Sequence, residues 1–328
     1  MTRSKFWTAG VGALAAGTLA FSAAGSPARA DGLRVVVTIK PIHALASSVM
    51  DGVGTPALLL RGSTSPHGIT LRPSQARLLA EADVVIWTGP ALELPVAKIV
   101  KNLAGKAISV PLQDARGVRL YKLREGGLWE MHAHDDHGHD GHGHGDDGDD
   151  DHGEERADID AHIWLDPHNA IAMTRGIGEA LARADAANAA AYRANAAATA
   201  ARLKALDDRI AKAVRPILRK RYVVFHDAYQ YFEKRYGLRP AGSITVDPHR
   251  APSPRRLFEI RTRILERGAS CVFREPQFEP KLVNVLVRGT PAKVGTLDPV
   301  GAGLPVGKGA YEILMRNLVD SLRTCLAG

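Results

Sequence analysis

Cysteines, long apolar runs and enzyme signatures are scarce in this chain, and each scarcity removes a class of protein. Only Cys271 and Cys325 occur among the 328 residues, and no Cys follows the apolar N-terminal run, so a lipid anchor on a mature N-terminal Cys is unsupported. Beyond that leader no apolar run is long enough to span a bilayer. There is no paired-His helix motif of the zincin kind, no Ser- or Cys-centred nucleophile motif, no Gly-rich phosphate loop and no fixed-period repeat. The formal charge is +8, yet the basic residues are scattered along helical segments. Without an aromatic-interleaved or Lys/Arg-dense stripe, the basic surface reads as solvated rather than as a nucleic-acid interface.

What is present begins with "MTRSKFWTAGVGALAAGTLAFSAAGSPARA". Arg3 and Lys5 precede a short Gly- and Ala-rich apolar run that ends at Ala28-Arg29-Ala30, a small-x-small pattern. This predicts a secretory signal, residues 1–30, cut after Ala30; a membrane anchor would need a longer core and a stop-transfer pattern. The mature protein is expected to be soluble, exported and periplasmic. In an exported chain two cysteines most simply form one disulfide, here tying the last helix to a strand near 271; two separate buried thiols is the alternative.

From residue 34 short apolar runs alternate with helical patterns: "RVVVTI", "PIHALASSVM", "TPALLL", "PSQARLLAEA", "VVIWTG", "ELPVAKIVKNLAG", "AISV". A second alternating set runs from "YVVFHD" to the final "AYEILMRNLVDSLRTCL". Strand, helix, strand, helix is the pattern of a parallel α/β sheet. Between the two sets an Ala-rich stretch from about 168 to 214 predicts one or two helices, the second long. The expected fold is therefore α/β, two parallel-sheet lobes bridged by a long helix: an N-terminal lobe over 31–185, a linking helix over 186–214 and a C-terminal lobe over 215–328. Such a helix should resist large hinge motion. A Gly-rich, His/Asp-rich segment, 131–157, has no apolar residue between Ala133 and Ala157 to offset the entropy of ordering, so a mobile loop is expected inside the first lobe.

Three histidines fall where open α/β folds place functional groups, in loops just past strand ends. His67 stands in "RGSTSPHGITLRPSQ", His162 in "DIDAHIWLDP" and His226 in "YVVFHDAYQYF". If the loops of two lobes converge on the cleft between them, three neutral imidazoles would suit zinc, copper or nickel; magnesium, calcium and manganese prefer oxygen. His43, His168 and His249 read as packing, helix-start or loop residues.

The chain resembles the periplasmic zinc-binding proteins of ABC importers, the ZnuA type within the metal-binding solute-binding protein family. The resemblance spans nearly all of the mature chain and is carried by "SPHGITLRPSQARLLAEADVVIWTGPALE", "DAHIWLDP", "FHDAYQYFEKRYGL", "CVFREPQFEPKLV" and "GTLDPVG" in that order, with an acidic His-rich loop between the first two. It implies two α/β lobes bridged by a long helix, a metal site in the cleft, and histidine ligands at His67, His162 and His226. The manganese-binding branch carries a carboxylate where His226 stands, so the resemblance implies zinc, bound as cargo. Some members place a Glu immediately before the first histidine; this chain has Pro66. Asp298 in "TLDPVG" matches an Asp ligand of other members, leaving Asp298 or a water molecule for the fourth position, with a turn or cap role as the structural reading of Asp298. Glu275 could orient a ligand or enter a salt bridge near Arg274.

The function so implied is capture of zinc by a monomer that docks transiently on a membrane permease driven by a cytoplasmic ATPase, with no catalysis, no nucleic acid and no membrane insertion. The alternative is a periplasmic zinc enzyme using an open three-His site; a buffering or chaperone role ranks below both. His132, His134, His137, His139, His142, His144 and His152 in the loop would bind accessory zinc more weakly, because a flexible loop loses entropy with every ion it orders. A tolerated solvated insertion is the other reading of that segment.

Overall fold

The computed structural model describes residues 1–2, 32–102, 106–124, 158–245, 248 and 252–327. The body of the signal expected at 1–30, the His/Asp-rich segment expected at 131–157 with its seven histidines, and His249 lie outside the described residues.

Eight strands form two sheets among the described residues. The first holds β1 (Val35–Val37), β2 (Ala57–Leu58), β3 (Val84–Trp87) and β4 (Ile108–Pro111) in the order β2-β1-β3-β4. The second holds β5 (Tyr222–His226), β6 (Gly242–Thr245), β7 (Cys271–Arg274) and β8 (Lys293–Thr296) in the order β6-β5-β7-β8, which repeats the first. Every pair is parallel, with Val36 opposite Ala57 and Val85, and Val223 opposite Gly242 and Val272. Parallel neighbours need helical crossovers that cover both faces, which explains why β3 and β5 are buried along their whole length and read as unbroken apolar runs. The two α/β lobes expected from the alternating pattern are present.

The crossovers are α1 (Lys40–Val49), α2 (Pro73–Ala80) and α3 (Leu94–Asn102) in the first lobe, and α6 (Gln230–Tyr236), α7 (Pro254–Glu266) and α8 (Lys281–Val287) in the second. Between the lobes run α4 (Pro167–Ala184) and α5 (Ala189–Ala213), and the chain closes with α9 (Ala310–Ala327). The Ala-rich stretch is thus two helices, the second of 25 residues. Asp166 starts α4 by accepting the His168 amide, and Pro167 at the first helical position loses no hydrogen bond there. A β-carbon on Gly178 would stand 2.7 Å from that of Ala196, so the close approach of α4 and α5 depends on glycine.

One apolar core runs from Val35 and Ile86 in the first sheet through Met173, Leu203 and Leu206 of α4 and α5 to Phe273 and Leu318. A second cluster, including Ile244, Ile260, Val272 and Val283, covers the other face of the second sheet. Helix α9 follows the second lobe in sequence yet packs against α1 of the first as well. Cys271 and Cys325 form the expected disulfide, fixing β7 to α9 across a separation of 54 residues.

One buried acid sits in the first lobe away from any histidine cluster. Glu93, between β3 and α3, is fully buried; burial pushes its carboxyl up to about 7, and the Thr88 amide 2.7 Å from Oε2 only partly opposes this. A carboxyl raised above its unfolded value costs stability when it ionises, so the cost is absent below about pH 4.5 and complete above about pH 7. Glu93→Gln is therefore expected to stabilise the fold by up to about 3 kcal/mol at pH 8 and by little at pH 4.5. Urea titrations at the two pH values check this; an equal effect at both would refute it.

Candidate metal site

His226 is the last residue of β5, the strand from which the second sheet grows in both directions. Ligand sites of open α/β sheets form beyond the carboxyl end of such a strand. Glu275 directly follows β7, the adjacent strand, and its Oε1 lies 2.7 Å from Nδ1 of His226. The Tyr229 hydroxyl donates to the same oxygen at 3.2 Å. Glu275 thus orients His226 and forms no salt bridge with Arg274, whose Nε donates to Thr296.

His162 precedes the short 3-10 turn Ile163–Leu165, and its backbone amide and Nδ1 both meet Oδ1 of Asp160, at 3.0 and 2.8 Å. The other oxygen of Asp160 accepts from Gln230 on α6 at 3.2 Å. Asp160 is the functional residue that the sequence reading missed. Its signal was the spacing Asp160-Ala161-His162, in which an Asx-type turn lets one carboxylate take both the amide and the ring of the residue two positions on.

His67 comes from the loop after β2, where its amide donates to Ser65 Oγ at 3.3 Å. Its Nε2 is 3.1 Å from that of His162, and the Nε2 of His226 is 3.2 Å from the same atom. One ring nitrogen of each of the three residues lies within 4.8 Å of the others, and they form the one such cluster of three or more His, Cys, Asp or Glu among the described residues. Nitrogens around tetrahedral zinc at 2.0–2.1 Å stand about 3.3–3.4 Å apart, so the two spacings to His162 need only a few tenths of an ångström of relaxation to receive the ion. A proton on Nδ1, donated to Asp160 or Glu275, leaves the Nε2 lone pairs of His162 and His226 turned inward. Facing lone pairs repel one another, and a cation relieves the repulsion.

Electrostatics separate the rings. Burial pulls His162 well below the ordinary imidazole range, and the charge of His226 pulls the same way. Burial would also lower His226, but its contact with Glu275 and the nearby Asp227 and Asp160 outweigh it, and the net direction is up. Asp160 is pushed up to about 7 by burial, against the His162 amide and Arg124. Behind His226, Arg124 binds Asp227 through Nε and Nη2 and Glu233 through Nη1 at 2.7 Å, while Tyr222 donates to Glu233 at 2.9 Å.

The imidazoles line a chamber of about 10 Å³, walled by Ser65, Pro66, Phe278, Pro299 and Val300. A cleft of about 540 Å³ adjoins it and shares Ser65 and His67. Asp298 is not brought into the cluster. Its Oδ1 accepts from Gln277 and from the amides of Val300 and Gly301 at 2.7, 3.2 and 2.9 Å, and its Oδ2 accepts from the Ala302 amide at 2.6 Å. The carboxylate braces a turn, which is the structural role weighed above. His43 is buried against Pro56 O at 2.9 Å and His168 lies in the first turn of α4, both as expected.

Two lobes of parallel sheet, joined by long helices, with strand-end loops meeting at a chamber the size of one ion, define a solute-binding protein of the metal-binding kind. The zinc-uptake complex component A periplasmic (ZnuA) family model matches residues 35–325. The chain belongs to that family. It is 47% identical over 305 residues to the high-affinity zinc uptake system protein ZnuA of Brucella suis, covering 89% of this chain and 91% of that one. It is 41% identical over 312 residues to the protein of that name from Paracoccus denitrificans, covering 94% and 96%. The fold matches a crystal structure of ZnuA with a TM-score of 0.70 at 22% identity, covering 89% of this chain and all of that one. It also matches the laminin-binding adhesin Lmb of Streptococcus agalactiae, in a mutant structure, with a TM-score of 0.72 at 22% identity over 90% of this chain. At such identities the two structures speak for the fold alone.

Proposed function

We propose that this protein captures zinc in the periplasm and delivers it to the permease of an ABC-type importer, holding the ion on Nε2 of His67, His162 and His226. The observation that carries this reading is the chamber: three imidazoles surround about 10 Å³, a space the size of one ion. An all-nitrogen set selects for zinc, copper or nickel over magnesium and calcium. The zinc-uptake names of the relatives choose zinc among them.

Water completes the shell in this reading. Glu275 Oε2 and Gln277 Oε1 are buried, have no hydrogen-bond partner among the described residues, and belong to side chains lining the chamber. A metal-bound water has two protons to donate and these are two acceptors for them. Asp298, engaged four times over, is left to its turn. The protein then contributes selectivity, affinity and docking as a monomer, and it catalyses nothing.

The histidines His132, His134, His137, His139, His142, His144 and His152 bind further zinc weakly in this proposal. The test is a chelator-competition titration of the full chain and of a variant lacking residues 132–155. Both should hold one ion tightly and only the full chain should take up weaker equivalents. Loss of the tight ion on deletion would overturn the assignment to the three buried rings.

A further inference from the structure

The wall of the chamber is held shut by residues outside the cluster. Pro299 and Val300 belong to the turn from Asp298 to Leu304 that follows β8, in the second lobe, and both line the chamber beside the three histidines. Val300 also meets Pro66, the neighbour of His67, and Lys40 across a gap of about 10 Å³. An ion leaving the chamber through the seam beside Pro66 and Val300 would part this turn from the His67 loop.

Two anchors from the first half of the chain fix the turn in place. Lys40, the first residue of α1, is part-buried and donates to the carbonyls of Gly301, at 3.2 Å, of Ala302, and of Leu304, at 3.3 Å. Three carbonyls are the full complement an ammonium can satisfy. Trp164, two residues after His162, donates from Nε1 to Pro299 O at 2.7 Å and is itself held by Tyr311, whose hydroxyl donates to the Trp164 carbonyl at 2.7 Å. From inside, Asp298 gathers the amides of Val300, Gly301 and Ala302. The turn is thus drawn by its carbonyls towards α1 and by its amides onto its own first residue.

We infer that Lys40 is a positioning residue for zinc retention: its ammonium, clasping the carbonyls of 301–304, keeps the Pro299–Val300 wall against the His67 loop and sets the rate of zinc release. This rests on the three-histidine reading above. Lys40 is not among the ligands, so its loss should leave the coordination shell and the association step nearly unchanged and act on dissociation. It also lies in the seam between the lobes, where a docking partner able to compete for the same carbonyls would free the turn and the ion together.

The experiment compares the wild-type full chain with Lys40→Met, which keeps the length and apolar stem of the side chain. Zinc release is followed by stopped-flow capture with a chromophoric chelator, and the cobalt-loaded proteins are compared by visible absorption. Hydrogen bonds from a charged donor at this density predict release accelerated roughly ten- to a hundredfold in Lys40→Met, with an unchanged cobalt spectrum and little change in association rate. If Lys40→Met does not fold, Trp164→Phe removes the second anchor and should accelerate release in the same direction. A release rate equal to wild type in a zinc-loaded Lys40→Met, or an altered cobalt spectrum, overturns the clasp alone. Failure of the wild-type chain to bind one zinc tightly overturns the three-histidine reading and the clasp with it.

Discussion

Replacing His226 by alanine is expected to weaken zinc binding by on the order of a hundred- to a thousandfold while the chain stays folded. In the proposed site the ring supplies one of three nitrogens, and it stands on an inner strand of its sheet, so no neighbouring side chain is placed to replace it. The substitution also leaves the Glu275 carboxylate with the Tyr229 hydroxyl as its remaining donor at Oε1, at a cost of about 1–3 kcal/mol to the metal-free fold. Thermal melting of the metal-free variant separates that cost from the loss of a ligand. Glu275→Gln should be milder, lowering affinity about tenfold, because a ring orienter is weakened and the ligand kept. Chelator competition on both variants checks the order. Equal losses, or tight binding retained by His226→Ala, would show that the ring is not a ligand.

Removing the disulfide is the second large effect. Cys271 and Cys325 are both buried and enclose a loop whose ends are 54 residues apart, so the chain-entropy model assigns the bridge about 4 kcal/mol. The paired Cys271→Ser and Cys325→Ser variant should lose that much in urea titrations, and its melting temperature should fall by about 6 °C. Since β7 ends next to Glu275, the variant also tests whether the bridge stiffens the site. Zinc affinity measured well below the melting temperature should change little, because Glu275 is fixed by its own contacts with His226 and Tyr229. An unchanged urea midpoint would mean that packing of α9 alone supplies the constraint.

The sequence made the layered architecture legible because parallel sheets covered on both faces leave unbroken apolar runs such as "VVIW" and "YVVF", and each run proved to be a strand. The division of the Ala-rich stretch was less legible. Alanine favours helix everywhere, and what ends α4 is Asp185, in a non-helical conformation after a helix with Arg183 in its last turn. The expected disulfide set α9 beside β7, but its packing on α1 could not be read, since packing of a terminal helix on a distant one leaves no local pattern. At the site, strand-end placement pointed to His67, His162 and His226, but the contact between His67 and His162 spans 95 residues and is settled by tertiary structure. For Asp298 the sequence left both roles open, because a carboxylate at the start of a turn has the same composition whether it faces a metal or its own backbone; here it accepts the amides of 300–302. Lys40 carried no signal, as its acceptors are backbone carbonyls more than 260 residues away.

The shared core that runs from β1 to α9 makes occupancy a property of the whole molecule. The second sheet has an apolar cluster of its own on one face, but the larger core is common to both lobes, so melting of either disturbs the other, and a bound ion is lost in the same transition that unfolds the chain. At a free-ion level a thousand times the dissociation constant, mass action adds about 4 kcal/mol to global stability. A loaded molecule is therefore expected to open less often than an empty one and to be cut more slowly by an added protease.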